Sequence, residues 1–336
     1  MPPFKPAGRG AAPARSAPLP SADPAGKTPD AHPSGHSENV RGTLAMLAAM
    51  ALFVTNDTFV KLSSASLGIA QIIFIRGAIA CVLVALLAWA LGALKSWPRR
   101  GWTTMGLRTI GEIGGTVLFL TALFQMPIAN VTAILQAMPL VMTVLSAFLL
   151  GEVVRWRRWL AVGLGFVGML MVVQPGGSEF NAYALFAVAS LAFASLRDLA
   201  SRFLPPETPS PFVALVSMIC VTAVGGVWTL TEPWQPVSGE VLIYLACAAA
   251  LLSGAFYFIT EAMRHGEVSL IAPFRYSIIL WAILLGYLVW GQLPNTLAMA
   301  GIALIVGSGL YVFYRESRLH RANRAEAVAS QTGLRR

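Results

Sequence analysis

Charge is what this 336-residue chain has least of: Asp, Glu, Lys and Arg make up only 12% of it, about half the share usual in a soluble domain. That shortage excludes an ordinary water-soluble fold of this length. Histidine is nearly missing as well, and none of its four copies lies in an apolar run. The three cysteines, Cys81, Cys220 and Cys247, show no metal-ligand spacing. A disulfide framework, a zinc site and a His- or Cys-based catalytic cluster therefore fall away, so neither an enzyme nor a cofactor is expected. Residues 1 to 40 hold no apolar stretch able to act as the core of a signal peptide.

What the chain has in abundance is apolar sequence, 56% of it. It is arranged in ten runs of membrane-crossing length, roughly 43–62, 69–91, 104–125, 128–150, 158–174, 182–202, 211–231, 241–263, 268–290 and 296–314. The expected fold is an all-α polytopic membrane protein with the lipid bilayer as its principal partner. A Pro-, Ala-, Gly- and Ser-rich tail over 1–40 is expected to be disordered. A basic tail over 315–336, with Arg315, Arg318, Arg321 and Arg324, is read as solvated and cytoplasmic.

The net charge of +9 does not point to nucleic acid, because the basic residues sit in tails and short loops rather than on one folded face. Arg41, Lys95, Arg99, Arg100, Arg155, Arg157, Arg158, Arg202 and Arg264 all fall on one side of a ten-span arrangement. The segments 174–181, 231–240 and 291–295 carry no Lys or Arg. The excess of basic residues marks the cytoplasmic side, so both termini are expected there, in a bacterial-type inner membrane. Trp97, Trp102, Trp156 and Trp159 at one boundary, with Trp228, Trp234 and Trp290 at the other, read as interfacial belts.

Setting each residue against the one 140 or 141 positions later aligns the two halves. Asp57 and Lys61 fall on Asp198 and Arg202, Gly114 on Gly254, Ala122 on Ala262, and Gly151-Glu152 on Gly291-Gln292. Each half, 41–174 and 182–314, holds five spans. An odd number makes the second copy enter the membrane from the opposite side, as an inverted repeat.

Several short motifs accompany this repeat: Pro139 followed by Gly151-Glu152, the glycines Gly163, Gly165 and Gly168, Arg197-Asp198 with Arg202, and Ala272-Pro273-Phe274-Arg275-Tyr276 with Trp281, Gly286 and Pro294. With these the chain resembles the drug/metabolite transporter superfamily, in its ten-helix form with two EamA-type repeats. The resemblance implies a secondary transporter of a small metabolite, working without ATP hydrolysis. Asn56-Asp57 with Lys61 and Phe74-x-Arg76 look like members that take up vitamins or nucleoside-like compounds such as riboflavin or S-adenosylmethionine. Export of amino acids or related metabolites is the alternative, and a non-transporting receptor or scaffold is the rival from another class. Gln292, where the second repeat often carries Glu, departs from the pattern. Gly163-x-Gly165-x-x-Gly168 also fits a dinucleotide-binding pattern, but it lies inside a span, where small residues serve helix packing.

A charge near the middle of a span costs about 2.5–3.5 kcal/mol on insertion scales, so such residues face a cavity or one another. Asp57 and Lys61 lie one turn apart on one face, and Asp198 and Arg202 mirror them at the opposite end. Each pair is read either as an anchoring ion pair or as a gate. Arg76 and Arg275 stand about two turns inside their spans and need an acid, carbonyls or a substrate anion. Glu112 is the candidate partner or proton carrier, while Arg108 and Glu261 are read as interfacial. Tyr276, Trp281, Asn130, Gln136 and Phe119 are placed to line a cavity for a planar, hydrogen-bonding ligand. Pro139 and Pro273 interrupt spans four and nine, freeing carbonyls or simply kinking them. Protons are the candidate coupling ion and a homodimer the candidate assembly.

Overall fold

The computed structural model describes residues 34–90, 101–149, 151, 156–177, 180–205, 208, 210–265 and 268–333. Every regular element among them is helical. The helices are α1 (Ser34–Ser63), α2 (Ile69–Ala90), α3 (Trp102–Gln125), α4 (Ile128–Leu135), α5 (Met138–Leu149) and α6 (Trp156–Val173) in the first half. The second half holds α7 (Ala184–Ser201), α8 (Ser210–Trp228), α9 (Gly239–His265), α10 (Val268–Ile271), a 3-10 segment (Ala272–Tyr276), α11 (Ser277–Trp290) and α12 (Thr296–Gly333). Among the described residues nine spans are long and apolar enough to cross a membrane, and Phe212–Trp228 is a shorter apolar tenth. Leu86, Phe148, Leu230 and Leu280 are fully or largely exposed. In water that would be costly, but against acyl chains it is not.

The two halves are related by their packing. The most extensive contacts join α1 to α9 and α3 to α7, which are the same contact exchanged between repeats. α2 packs on its own counterpart α8, and α6 on its counterpart α12. The detail follows: a Cβ on Gly114 would clash with the Phe193 ring, and one on Gly254 would meet Leu52 at 3.4 Å. Leu52 is Phe193 shifted by one repeat. Ala122 and Ala262 are both fully buried, and Gly151 and Gly291 share the same left-handed φ of 66°. Only glycine adopts that angle without strain, and Gly291 uses it to end α11 by donating to the Tyr287 carbonyl.

Spans four and nine are not continuous. α4 stops at Leu135, Gln136-Ala137 form a turn, and α5 restarts just ahead of Pro139. In span nine the 3-10 segment containing Pro273 separates α10 from α11. Each break falls where proline removes a donor and crowds the preceding turn.

Two boundaries differ from the expected ones. Residues 34–40, read as tail, form the first turns of α1, which begins directly after Pro33. Residues 315–333, also read as tail, continue α12, because Arg, Glu, Leu and Ala dominate there and no Pro or Gly interrupts them until Gly333. Residues 1–33, Lys95, Arg99, Arg100, Glu152 and Arg155 lie outside the described residues.

Candidate functional site

The helix ends fall on two opposite faces of the bundle. At one, free of Lys and Arg in its loops, the Gln71 side chain exchanges two hydrogen bonds with the Gln235 backbone (2.7 and 3.1 Å). Asn181 donates to the Gln125 carbonyl there at 2.8 Å, and Gln174 pairs its amide with that of Asn295 at 2.9 Å. At the other, basic end, Arg41 of α1 pairs with Glu261 of α9. Glu261, read as merely interfacial, is thus a cross-helix anchor.

Lys61 does not pair with Asp57. Its ammonium donates to the Met126 carbonyl and lies 5.2 Å over the Trp290 ring. The last turn of a helix leaves carbonyls without amide partners, and Met126 closes α3 in extended conformation. Lys61 therefore caps α3. Asp57 keeps a 2.9 Å hydrogen bond from Asn56, and the cation that acts on it is Arg76 of α2. The two make no direct ion pair among the described residues, so Asp57 and Arg76 are electrostatic neighbours without a salt bridge, toward the end whose loops lack Lys and Arg.

A second, closed network lies toward the basic end. Glu112 of α3 receives Arg108 at 3.6 Å and Arg197 of α7 at 3.5 Å. Arg197 also holds its neighbour Asp198 at 2.8 Å. Arg108 forks to two hydroxyls, Ser201 of α7 at 3.0 Å and Ser217 of α8. The planar guanidinium allows this because its donors diverge in a fixed plane. Hence Glu112 is not the partner of Arg76, and Arg108 is no snorkelling surface group but the tie between three helices. The mirrored pair Asp198 and Arg202 does not form among the described residues, since Arg197 already occupies Asp198 and Arg202 is exposed just past the end of α7. Arg197, Ser201 and Ser217 are the members that sequence reasoning left out of the site. Arg197 was visible as an intramembrane charge, whereas the serines look like any small residue of a packed span.

Between these networks the two broken spans touch. Gln136, in the turn of span four, approaches the Arg275 carbonyl in the 3-10 segment of span nine at 3.4 Å. Arg275 as a whole residue is accessible and has Asp198, Arg197 and Tyr276 as electrostatic neighbours. The Tyr276 hydroxyl, the Ser277 hydroxyl and the Asn130 carbonyl oxygen are buried without partners.

The aromatic box expected from sequence is not assembled. Tyr276 is 5% exposed and packs edge-on to Phe313 at 6.4 Å, and its ring leaves no room for a side chain at Gly309. Trp281 packs instead against the clusters built by α1, α2, α3, α4 and α9. Phe119 bridges the two larger apolar clusters. Tyr276 is a core residue because the break turns it toward α12, and Phe119, on the unbroken α3, because it lies between the two apolar clusters.

The sequence pattern of the EamA-like transporter family matches residues 40–174 and again 181–314. The riboflavin transporter of Vibrio cholerae is 27% identical over 290 residues, covering 85% of this chain and 97% of that one. A pseudopaline exporter of Pseudomonas aeruginosa is 29% identical, covering 78% and 92%. An S-adenosylmethionine uptake transporter of Rickettsia felis is 25% identical over 57% of this chain, and the match spans 65% of that relative's length. A solved crystal structure superposes with a TM-score of 0.57 at 23% identity, covering 84% of this chain and 99% of its own, a likeness of fold.

Proposed function

We propose, from the premise that this chain belongs to the EamA-like transporter family, that it is a secondary carrier moving a small polar or aromatic metabolite across the membrane by alternating access. The observation that carries this reading is the meeting of the two broken spans at Gln136 and Arg275. Discontinuous helices at the interface of inverted repeats expose backbone and polar side chains in the one place where lipid cannot reach them.

In this reading Arg275, Gln136 and Asn130 belong to the substrate chamber. Asp57 with Arg76 guards it toward the end whose loops lack Lys and Arg, and Glu112 with Arg197 and Asp198 guards it toward the basic end. One network open and one closed is what a carrier needs at any moment. Protons are the coupling ion, with Asp57 and Glu112 as the carboxylates on the path. The basic end faces the cytoplasm of a bacterial-type cell.

Uptake is the favoured direction, supported by likeness to a protein named as an S-adenosylmethionine uptake transporter. Export is the second reading, favoured by the pseudopaline exporter, whose match covers 92% of its length. Purified protein in proteoliposomes, offered a panel of labelled vitamins, nucleosides and amino acids, is expected to accumulate a small subset. An inward proton gradient is expected to drive it. Permeation no faster than in empty vesicles for every compound would remove the proposal.

A further inference from the structure

Counting Lys61 near the end of α1, the described spans hold five cations, Lys61, Arg76, Arg108, Arg197 and Arg275, against three carboxylates, Asp57, Glu112 and Asp198, while Glu261 at the basic end is already paired with Arg41. Charges in a membrane interior are retained only when something compensates them, so each should have a partner. Four of the five cations do. Lys61 sits on a helix-end carbonyl and an indole face, Arg76 faces Asp57, and Arg108 and Arg197 share Glu112 and Asp198. Arg275 is left over: its guanidinium makes no ion pair or hydrogen bond among the described residues. The nearest acid, Asp198, is already bound by Arg197 at 2.8 Å.

Its setting is not that of a snorkelling group. The Arg275 backbone is fixed by Gln136 at the junction of the two broken spans, and its charged neighbours belong to α7 rather than to an interface. The residue as a whole is nonetheless accessible. The next two residues, Tyr276 and Ser277, carry buried hydroxyls without partners; for Ser277 the 3-10 turn before it breaks the run of α-helical carbonyls that a serine hydroxyl normally uses. An arginine cannot shed its charge and presents a planar fork of donors matched to two oxygens.

We infer that Arg275 is the docking point for an oxyanion, a carboxylate or phosphate, carried by the transported substrate. The inference rests on the carrier reading above and deepens it, by assigning the substrate a negative group and placing that group at the break of span nine. Binding would supply the missing counter-charge in the chamber without disturbing the Arg197 to Asp198 contact.

The test uses the full chain with Cys81, Cys220 and Cys247 replaced by serine and Gln136→Cys introduced beside Arg275. Two membrane-impermeant thiol reagents of equal size, one sulfonate-bearing and one quaternary ammonium, report the charge preference of the chamber without any knowledge of the substrate. The sulfonate reagent is expected to react at least tenfold faster. Adding Arg275→Gln should bring the two rates within about threefold, whereas Arg275→Lys, or Arg318→Gln outside the chamber, should preserve the preference. Equal rates with Arg275 present, a faster cationic reagent, or a preference that survives Arg275→Gln would overturn the inference and leave the carrier reading standing. No reaction from either side would overturn both. Where the metabolite panel yields a substrate, the same assignment requires it to carry an anionic group and to lose at least tenfold in affinity on Arg275→Gln.

Discussion

At the scale of single residues, the decisive feature is which charge meets which. Asp57 and Arg76 are electrostatic neighbours without a salt bridge, so removing one should harm transport more than removing both. A lone charge there has no counter-charge, whereas an apolar pair needs none. Asp57→Ala is expected to cut the transport rate at least tenfold, and Asp57→Ala with Arg76→Ala should recover part of it, as measured by uptake into proteoliposomes. If the double variant is as slow as the product of the two single ones, the pair does not act as a unit. Arg108 carries a structural load instead. Losing its bonds to Ser201, Ser217 and Glu112 should cost about 2 kcal/mol, the usual worth of charge-assisted hydrogen bonds, read as a lower midpoint of thermal unfolding in detergent. These partnerships were not legible in the sequence. An intramembrane Glu112 announces a need for a cation, but Arg76, Arg108, Arg197 and Arg275 all qualify until the crossing of α3 with α7 selects two of them. Lys61 misled for a related reason, because spacing suggests Asp57 while the open carbonyl at the end of α3 lies 65 residues away.

Among elements, α6 and α12 show how glycine spacing turns into contact. A Cβ on Gly168 would lie 2.7 Å from the Gly301 carbonyl oxygen, while one on Gly163 would meet nothing within 4 Å. Gly168→Val should push the two helices apart and sharply lower the yield of folded protein in detergent, and Gly163→Ala should change stability by no more than about 0.5 kcal/mol. Equal tolerance of both would mean that these helices do not pack through that face. The same pair is fastened at the end opposite the basic one, where the Asn295 side chain accepts from the Ala298 amide at 2.8 Å and pairs with Gln174. Gln174 itself holds a left-handed φ of 52°. Asn295→Ala is expected to cost about 1 kcal/mol, the typical worth of an N-cap, seen as a lower unfolding midpoint. That span five packs through small residues was readable from Gly163-x-Gly165-x-x-Gly168. Which of the three glycines touches α12 was not, since it depends on the rotation of the helix about its own axis. The prolines foretold that spans four and nine are interrupted, yet gave no sign that the two interruptions meet.

For the molecule as a whole, inverted repetition was the most legible property, because five spans per half is a matter of counting and an odd count fixes polarity. The structure turns that count into shape: α1 on α9 repeats as α3 on α7, and the broken fourth and ninth spans come together at the junction. The aromatic box drawn from Tyr276 and Trp281 failed at this scale, since the break at Pro273 sends the two rings toward different helices. The most direct trial of the whole scheme is sided labelling of Gln136→Cys in the cysteine-free chain. An impermeant thiol reagent is applied to spheroplasts and, separately, to inverted membrane vesicles. A site at the junction of two repeats that alternately open should react from both sides, with protection from each side by a transported metabolite. Reaction from one side alone, or from neither, would contradict it.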